Sequence, residues 1–137
     1  MRVDEFLSRN IPPEERDPLT ERIIAAAMEV HRGVGPGMTE VMYENALALE
    51  FDLRGIRYAR QAPVSVNYKG KPIGTTRLDF VVEGKVIVEL KACESLNAVH
   101  RAQCICYLRA TGLHVALLIN FNVPVLKDGI KRVILSS

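Results

Sequence analysis

Gly74-Thr75-Thr76-Arg77-Leu78-Asp79-Phe80-Val81-Val82-Glu83-Gly84-Lys85-Val86-Ile87-Val88-Glu89-Leu90-Lys91-Ala92-Cys93 is the stretch on which the fold turns. Two β-rich runs, 77–82 and 86–91, flank Glu83-Gly84-Lys85, and a glycine between short apolar runs signals a tight antiparallel hairpin. The strands are apolar enough to be buried, yet Asp79 interrupts the first and Glu89 and Lys91 the second. Buried charge is costly and needs a reason. With Gly84 at the centre of a three-residue turn, Asp79 lies opposite Glu89 and Arg77 opposite Lys91, and the period of two places all four on one face. A two-residue turn would separate the carboxylates onto opposite faces, so a shared site requires an odd loop. Facing carboxylates repel, and a hard divalent cation with oxygen ligands relieves the repulsion, Mg²⁺ fitting best. Lys91 then stands where its ammonium can orient a water or stabilise charge developing on a phosphate.

The spacing Asp, about ten residues, Glu-x-Lys resembles the PD-(D/E)XK nuclease superfamily. The wording Arg-Leu-Asp-Phe-Val-Val followed by Val-Ile-Val-Glu-Leu-Lys-Ala resembles one branch of it, named for a second motif, GxxExxY, present as Gly37-Met38-Thr39-Glu40-Val41-Met42-Tyr43. Ala102 to Leu113 and Leu118-Ile119-Asn120-Phe121 extend the likeness over residues 20–135 in matching order. Leu78 stands where the superfamily name has proline. The resemblance implies a restriction-endonuclease-like α/β (α+β) core, a mixed central sheet with flanking helices, in a bacterial nuclease. It also implies a site of Glu40, Asp79, Glu89 and Lys91, with Mg²⁺ or Mn²⁺ held by Asp79, Glu89, the main-chain carbonyl of Leu90 and Glu40. Tyr43, Arg77, Gln103 and Tyr107 are implied as substrate or supporting residues.

At 137 residues with 48% hydrophobic content, the chain makes one domain, expected over 17–137 with a polar arm over 1–16. A net charge of +2 argues against a histone-like electrostatic coat. A local basic groove remains open, because residues 54–77 carry Arg54, Arg57, Arg60, Lys69, Lys71 and Arg77 without one Asp or Glu. A solvated loop and edge strand is the plainer account of that segment. Three cysteines without CxxC spacing make neither a disulfide framework nor a zinc site, and reduced thiols fit a cytoplasmic protein. No run approaches the length of a membrane span, so no membrane partner is expected.

Around the hairpin, Asp17-Pro18 opens a helix that ends near Arg32. The run Gly33 to Gly37 lacks the lysine and order of a phosphate loop and starts the next helix, about 39–54. Glu40 in its first turn suits the helix dipole whatever else it does; its functional reading is a further acidic group leaning over the sheet. Tyr58–Tyr68 reads as a strand, with Pro63 as the edge or bulge residue. A helix follows from Leu96 or Asn97 to Thr111, carrying His100, Gln103 and Tyr107 on one face, His100 as a satisfied interface residue. The apolar run 114–120 reads as a strand parallel to 86–91, and 130–135 as a last strand whose apolar edge invites a homodimer. These features point to a metal-dependent phosphodiesterase acting on DNA or RNA. The alternative is a non-catalytic nucleic-acid- or protein-binding module that keeps the fold. A bare Glu89–Lys91 pair contributes only about 0–1 kcal/mol, little reason to charge an apolar strand.

Overall fold

The computed structural model describes residues 17–135 together with Val3; the polar arm expected over 1–16 lies outside them, Val3 excepted. Helices α1 (Pro18–Val34) and α2 (Glu40–Leu53) precede strands β1 (Tyr58–Tyr68), β2 (Lys71–Val82) and β3 (Val86–Lys91). Helix α3 (Ala98–Thr111), β4 (Val115–Asn120), a 3₁₀ turn (Leu126–Gly129) and β5 (Ile130–Ile134) follow. The strands form one mixed sheet in the order β1-β2-β3-β4-β5. Only β3 and β4 pair in parallel, because α3 carries the chain back between them.

Local chemistry accounts for the boundaries. The Asp17 carboxylate caps α1 by accepting the Thr20 N–H at 2.8 Å, and Pro18 occupies the first turn, where its missing N–H costs nothing. Asn97 caps α3 in a capping box whose return arm is His100: Asn97 N–H donates to its Nδ1 at 3.2 Å. His100 is thus satisfied within its own helix. Gly112 closes α3 in the left-handed conformation.

The sheet is covered on both faces. One core joins α1 and α2 to the sheet through Ile23, Ala27, Leu47, Phe51, Phe80, Val88 and Ile119. The other joins α3 through Cys104 and Leu108 to Leu78, Ile87, Ala116, Leu118 and Val133. Strands β3 and β4 are therefore buried on both sides, which explains their nearly unbroken apolar sequence. Cys104 is 1% exposed, and burial, then the Glu89 charge, pushes its thiol up to about 11. It packs as a small hydrophobe.

Candidate active site

The turn joining β2 to β3 decides the site's geometry. Val82 pairs with Val86, leaving Glu83-Gly84-Lys85 as an odd loop with positive φ at Glu83 (53°) and Gly84 (66°), and Phe80 pairs with Val88. The next step outward sets Asp79 against Glu89, and there the backbone ladder stops. Side chains replace it. Glu89 Oε2 accepts the Asp79 N–H at 2.7 Å, and Asp79 Oδ2 accepts the Leu90 N–H at 2.8 Å. The Asp79 carboxylate also lies close enough for its charge to act on Glu89. The two side chains wedge the strands apart, and each keeps one oxygen not bound to the backbone.

Burial and mutual repulsion set the electrostatics. Glu89 is 6% exposed, and burial first and the Asp79 charge second push its carboxyl up to about 8. Asp79 is also raised, mainly by burial, against the Leu90 hydrogen bond. Lys91 acts in the other direction on Asp79, Glu89 and Glu40. Its ammonium therefore sits within the field of all three carboxylates. Glu40, in the first turn of α2, is raised chiefly by partial burial, with the Asp79 and Glu44 charges adding to it.

The period-of-two expectation fails at one point. Leu78 packs in the α3 core but Phe80 in the α1–α2 core, so residues two apart point to opposite faces. The kink lies at Asp79 and its cross-strand neighbour Gln61, whose φ is 51°; Arg60↔Phe80 and Ala62↔Leu78 pair on either side of them. Arg77 consequently does not share a face with Lys91. It turns away from α3, and its guanidinium donates to the Gln61 carbonyl at 3.3 Å. Pro63 lies on β1, an edge strand of the sheet, and pairs regularly with Arg77; it is an edge residue and not a bulge, the irregularities falling at Gln61 and at Val66/Asn67.

Gln61 is a residue of the site that no sequence motif announces. Its Nε2 donates to Asp79 Oδ1 at 3.3 Å and to the Glu44 carboxylate, which is buried and bound by Arg60 Nε at 2.6 Å. A chain of polar contacts thus runs from Arg60 on β1 through Glu44 on α2 to Asp79. A non-glycine residue at positive φ is the local strain that such bonds must hold. Asn120, 1% exposed, does similar work at the other end: it accepts the Cys93 N–H and donates to the Cys93 carbonyl, tying the loop after Lys91 to β4.

Tyr43 is wholly buried, stacked on Phe121 at 4.6 Å. Its hydroxyl donates to the Gly35 carbonyl at 2.6 Å and accepts the Met38 N–H at 3.1 Å. Because Gly37 takes φ 101°, the loop makes a turn that ordinary side chains resist, and the Tyr43 hydroxyl ties it down just before Glu40. Tyr43→Phe is expected to destabilise the fold by about 1–2 kcal/mol, read as a lower thermal midpoint. On α3, burial raises the Tyr107 hydroxyl above its ordinary value, and it feels both Glu89 and Lys91, while Gln103 is exposed.

The donor set is two carboxylates. Among the described residues no group of three or more His, Cys, Asp and Glu side chains forms a metal cage. Two pressed carboxylates, each with one oxygen free of the backbone and that of Asp79 met by Gln61 at 3.3 Å, still suit a hard cation that keeps several waters, as Mg²⁺ does. The strand backbone adds a third oxygen. The Lys91 carbonyl accepts the Phe121 N–H on the β4 side, while the Leu90 N–H points to Asp79. Alternation along β3 therefore turns the Leu90 carbonyl toward the fork.

A mixed sheet covered by helices on both faces, with Asp and Glu-x-Lys at the mouth of a splayed hairpin, defines a nuclease-type core. The family model of the PD-(D/E)XK nuclease superfamily matches residues 17–133, and the chain belongs to that superfamily. No curated protein and no solved structure matches the chain. Among the described residues no helix is long and apolar enough to cross a membrane.

Proposed function

We propose that this protein is a divalent-metal-dependent phosphodiesterase that cleaves nucleic acid, in the GxxExxY branch of the superfamily. The observation that carries the reading is the fork at Asp79 and Glu89, where two carboxylates are forced together at a place where the sheet gives up its own hydrogen bonds. Stability alone gives no reason to bury them so. Asp79, Glu89 and the Leu90 carbonyl would hold Mg²⁺ or Mn²⁺, with Glu40 a further ligand directly or through water. When bound, the ion supplies charge neutralisation at the phosphate and lowers the pKa of a bound water. Lys91 positions the attacking water and stabilises charge on the phosphate oxygens. Gln61 and Glu44 hold Asp79 in place, Tyr107 and Gln103 line the approach from α3, and Arg77 would meet substrate from the other side of the sheet.

The test is incubation of the pure protein with DNA and RNA, single- and double-stranded, in Mg²⁺, Mn²⁺ or EDTA. Cleavage that needs metal and disappears in Asp79→Ala and Lys91→Ala supports the enzyme. Binding without cleavage, unchanged by both substitutions, supports the non-catalytic module. A two-fold dimer through the β5 edge or the adjacent helix face is a further expectation. Val133 is buried and Ile134 is 39% exposed there, although Lys131 and Arg132 on the same strand oppose pairing of two edges. Light scattering should give twice 15.3 kDa; a mass near a single chain across the working concentration range rules the dimer out.

A further inference from the structure

Strand β2 is twice as long as β3 needs. Its last pair with β3 is Phe80↔Val88, and Lys71 to Leu78 pair with β1 alone. The two strands therefore leave the sheet at the catalytic fork as a two-stranded ribbon, reaching about 26 Å from Asp79 to Lys71 at ~3.3 Å per residue. Its base is anchored on α3 by buried Leu78, with Ala62 and Val64 packed against the same core. Beyond that, residues 67–75 are exposed without interruption. The tip is a narrow turn in which Lys69 (φ 50°) and Gly70 (φ 78°) both take positive φ, and the Lys69 ammonium stands 5.4 Å over the Tyr68 ring.

An isolated two-stranded hairpin is marginal in water, and this one exposes Tyr68 at 62% and Ile73 at 66%. Its charge is one-sided: no Asp or Glu occurs between Leu53 and Leu78. Lower in the same segment, Arg54 and Arg60 are paired with Glu50 and Glu44 on α2, so the unbalanced positive charge falls on Arg57 just before β1 and on Lys69, Lys71 and Arg77 along the ribbon. We infer that the β1–β2 ribbon is a substrate-binding arm that enters the major groove of a B-form DNA duplex and grips its phosphates within one helical turn of the cleaved bond. This rests on the phosphodiesterase reading for the cleaved bond, but not for the binding. Two strands about 4.8 Å apart fit a groove about 12 Å wide, whereas the deep, narrow major groove of A-form RNA does not admit them. The tip lies within the ~34 Å of one duplex turn.

The experiment is fluorescence anisotropy in EDTA, where cleavage cannot interfere, with a labelled DNA duplex of about two helical turns. The same sequence as single-stranded DNA and as RNA duplex completes the panel. The variant is Lys69→Asn/Lys71→Thr, in which asparagine tolerates the positive φ and threonine suits the strand; circular dichroism verifies its fold. The wild type should prefer duplex DNA. The variant should bind it roughly ten- to sixtyfold more weakly at ~0.1 M salt, with a salt-dependence slope smaller by about 1.8, or ~0.9 for each phosphate that is no longer neutralised. Unchanged affinity and slope in a folded variant overturn the arm, as does a wild-type preference for single strands or RNA duplex. If the arm is right and no substrate is cut in Mg²⁺ or Mn²⁺, the phosphodiesterase reading alone fails. If DNA is cut and the variant binds as the wild type does, only the arm fails.

Discussion

Lys91→Met will slow metal-dependent cleavage by about 10²–10³-fold without a loss of thermal stability near pH 5, where the raised carboxyls are still protonated. The Lys91 ammonium opposes the rise in pKa of Glu40, Asp79 and Glu89 alike, so it lies inside the charge constellation and not at its margin. A cation so placed stabilises charge that grows on a phosphate in the transition state, and removing one preorganised group of this kind typically costs that factor. Methionine keeps the stem and leaves no buried unpaired donor. Two readouts separate this role from a structural one. Single-turnover rates should fall while the melting temperature near pH 5 holds. The acid limb of the pH–rate profile should move to higher pH, because the carboxylates lose the charge that eases their ionisation. A rate within threefold of wild type at every pH would remove Lys91 from the mechanism.

In EDTA, the protein should lose stability as pH rises from about 5 to about 8, the reverse of the usual acid-side behaviour. The folded Glu89 carboxyl is raised to about 8 from 4.5, and Asp79 is raised with it, so across that window the native state holds a proton the unfolded chain has released. Stability then falls with pH by on the order of a few kcal/mol and levels off above about 8. Asp79→Asn removes the repulsion at nearly constant size, so it should flatten the decline and melt no lower than wild type at the alkaline end. Added Mg²⁺ or Mn²⁺ should restore the wild type at high pH by binding the ionised pair, and near pH 7 that binding should release about one proton, measurable by calorimetry in two buffers. A melting temperature that climbs through this range in EDTA would mean the pair is fully ionised and otherwise compensated.

Much of this site is legible along the chain. The odd loop around Gly84 and the alternation beyond it determine that Asp79 meets Glu89, because hairpin register is a local matter of turn length. The helix between two apolar strands likewise determines that β3 and β4 run parallel. Caps at Asp17 and Asn97 are written within three residues of the groups they satisfy. Glu40 and Tyr43 stand together in one motif, although only the structure reveals that the tyrosine acts on the glycine turn and not on the sheet.

Other features are decided over long separations. Periodicity assumes a regular strand, and nothing in Gln61 or Asp79 announces that both depart from it. The face reversal between Leu78 and Phe80 arises because Gln61, itself held by Glu44, and the Leu90 amide together compete successfully with the ladder for Asp79. The rule that places Arg77 beside Lys91 holds only where that competition is absent. Turn length, capping and period were thus enough to set the elements, the parallel crossover and the two facing carboxylates. How far those carboxylates part the strands, which face Arg77 takes and that β1 and β2 run on as a free ribbon were left to the folded chain, because these depend on bonds between residues 10 to 18 positions apart.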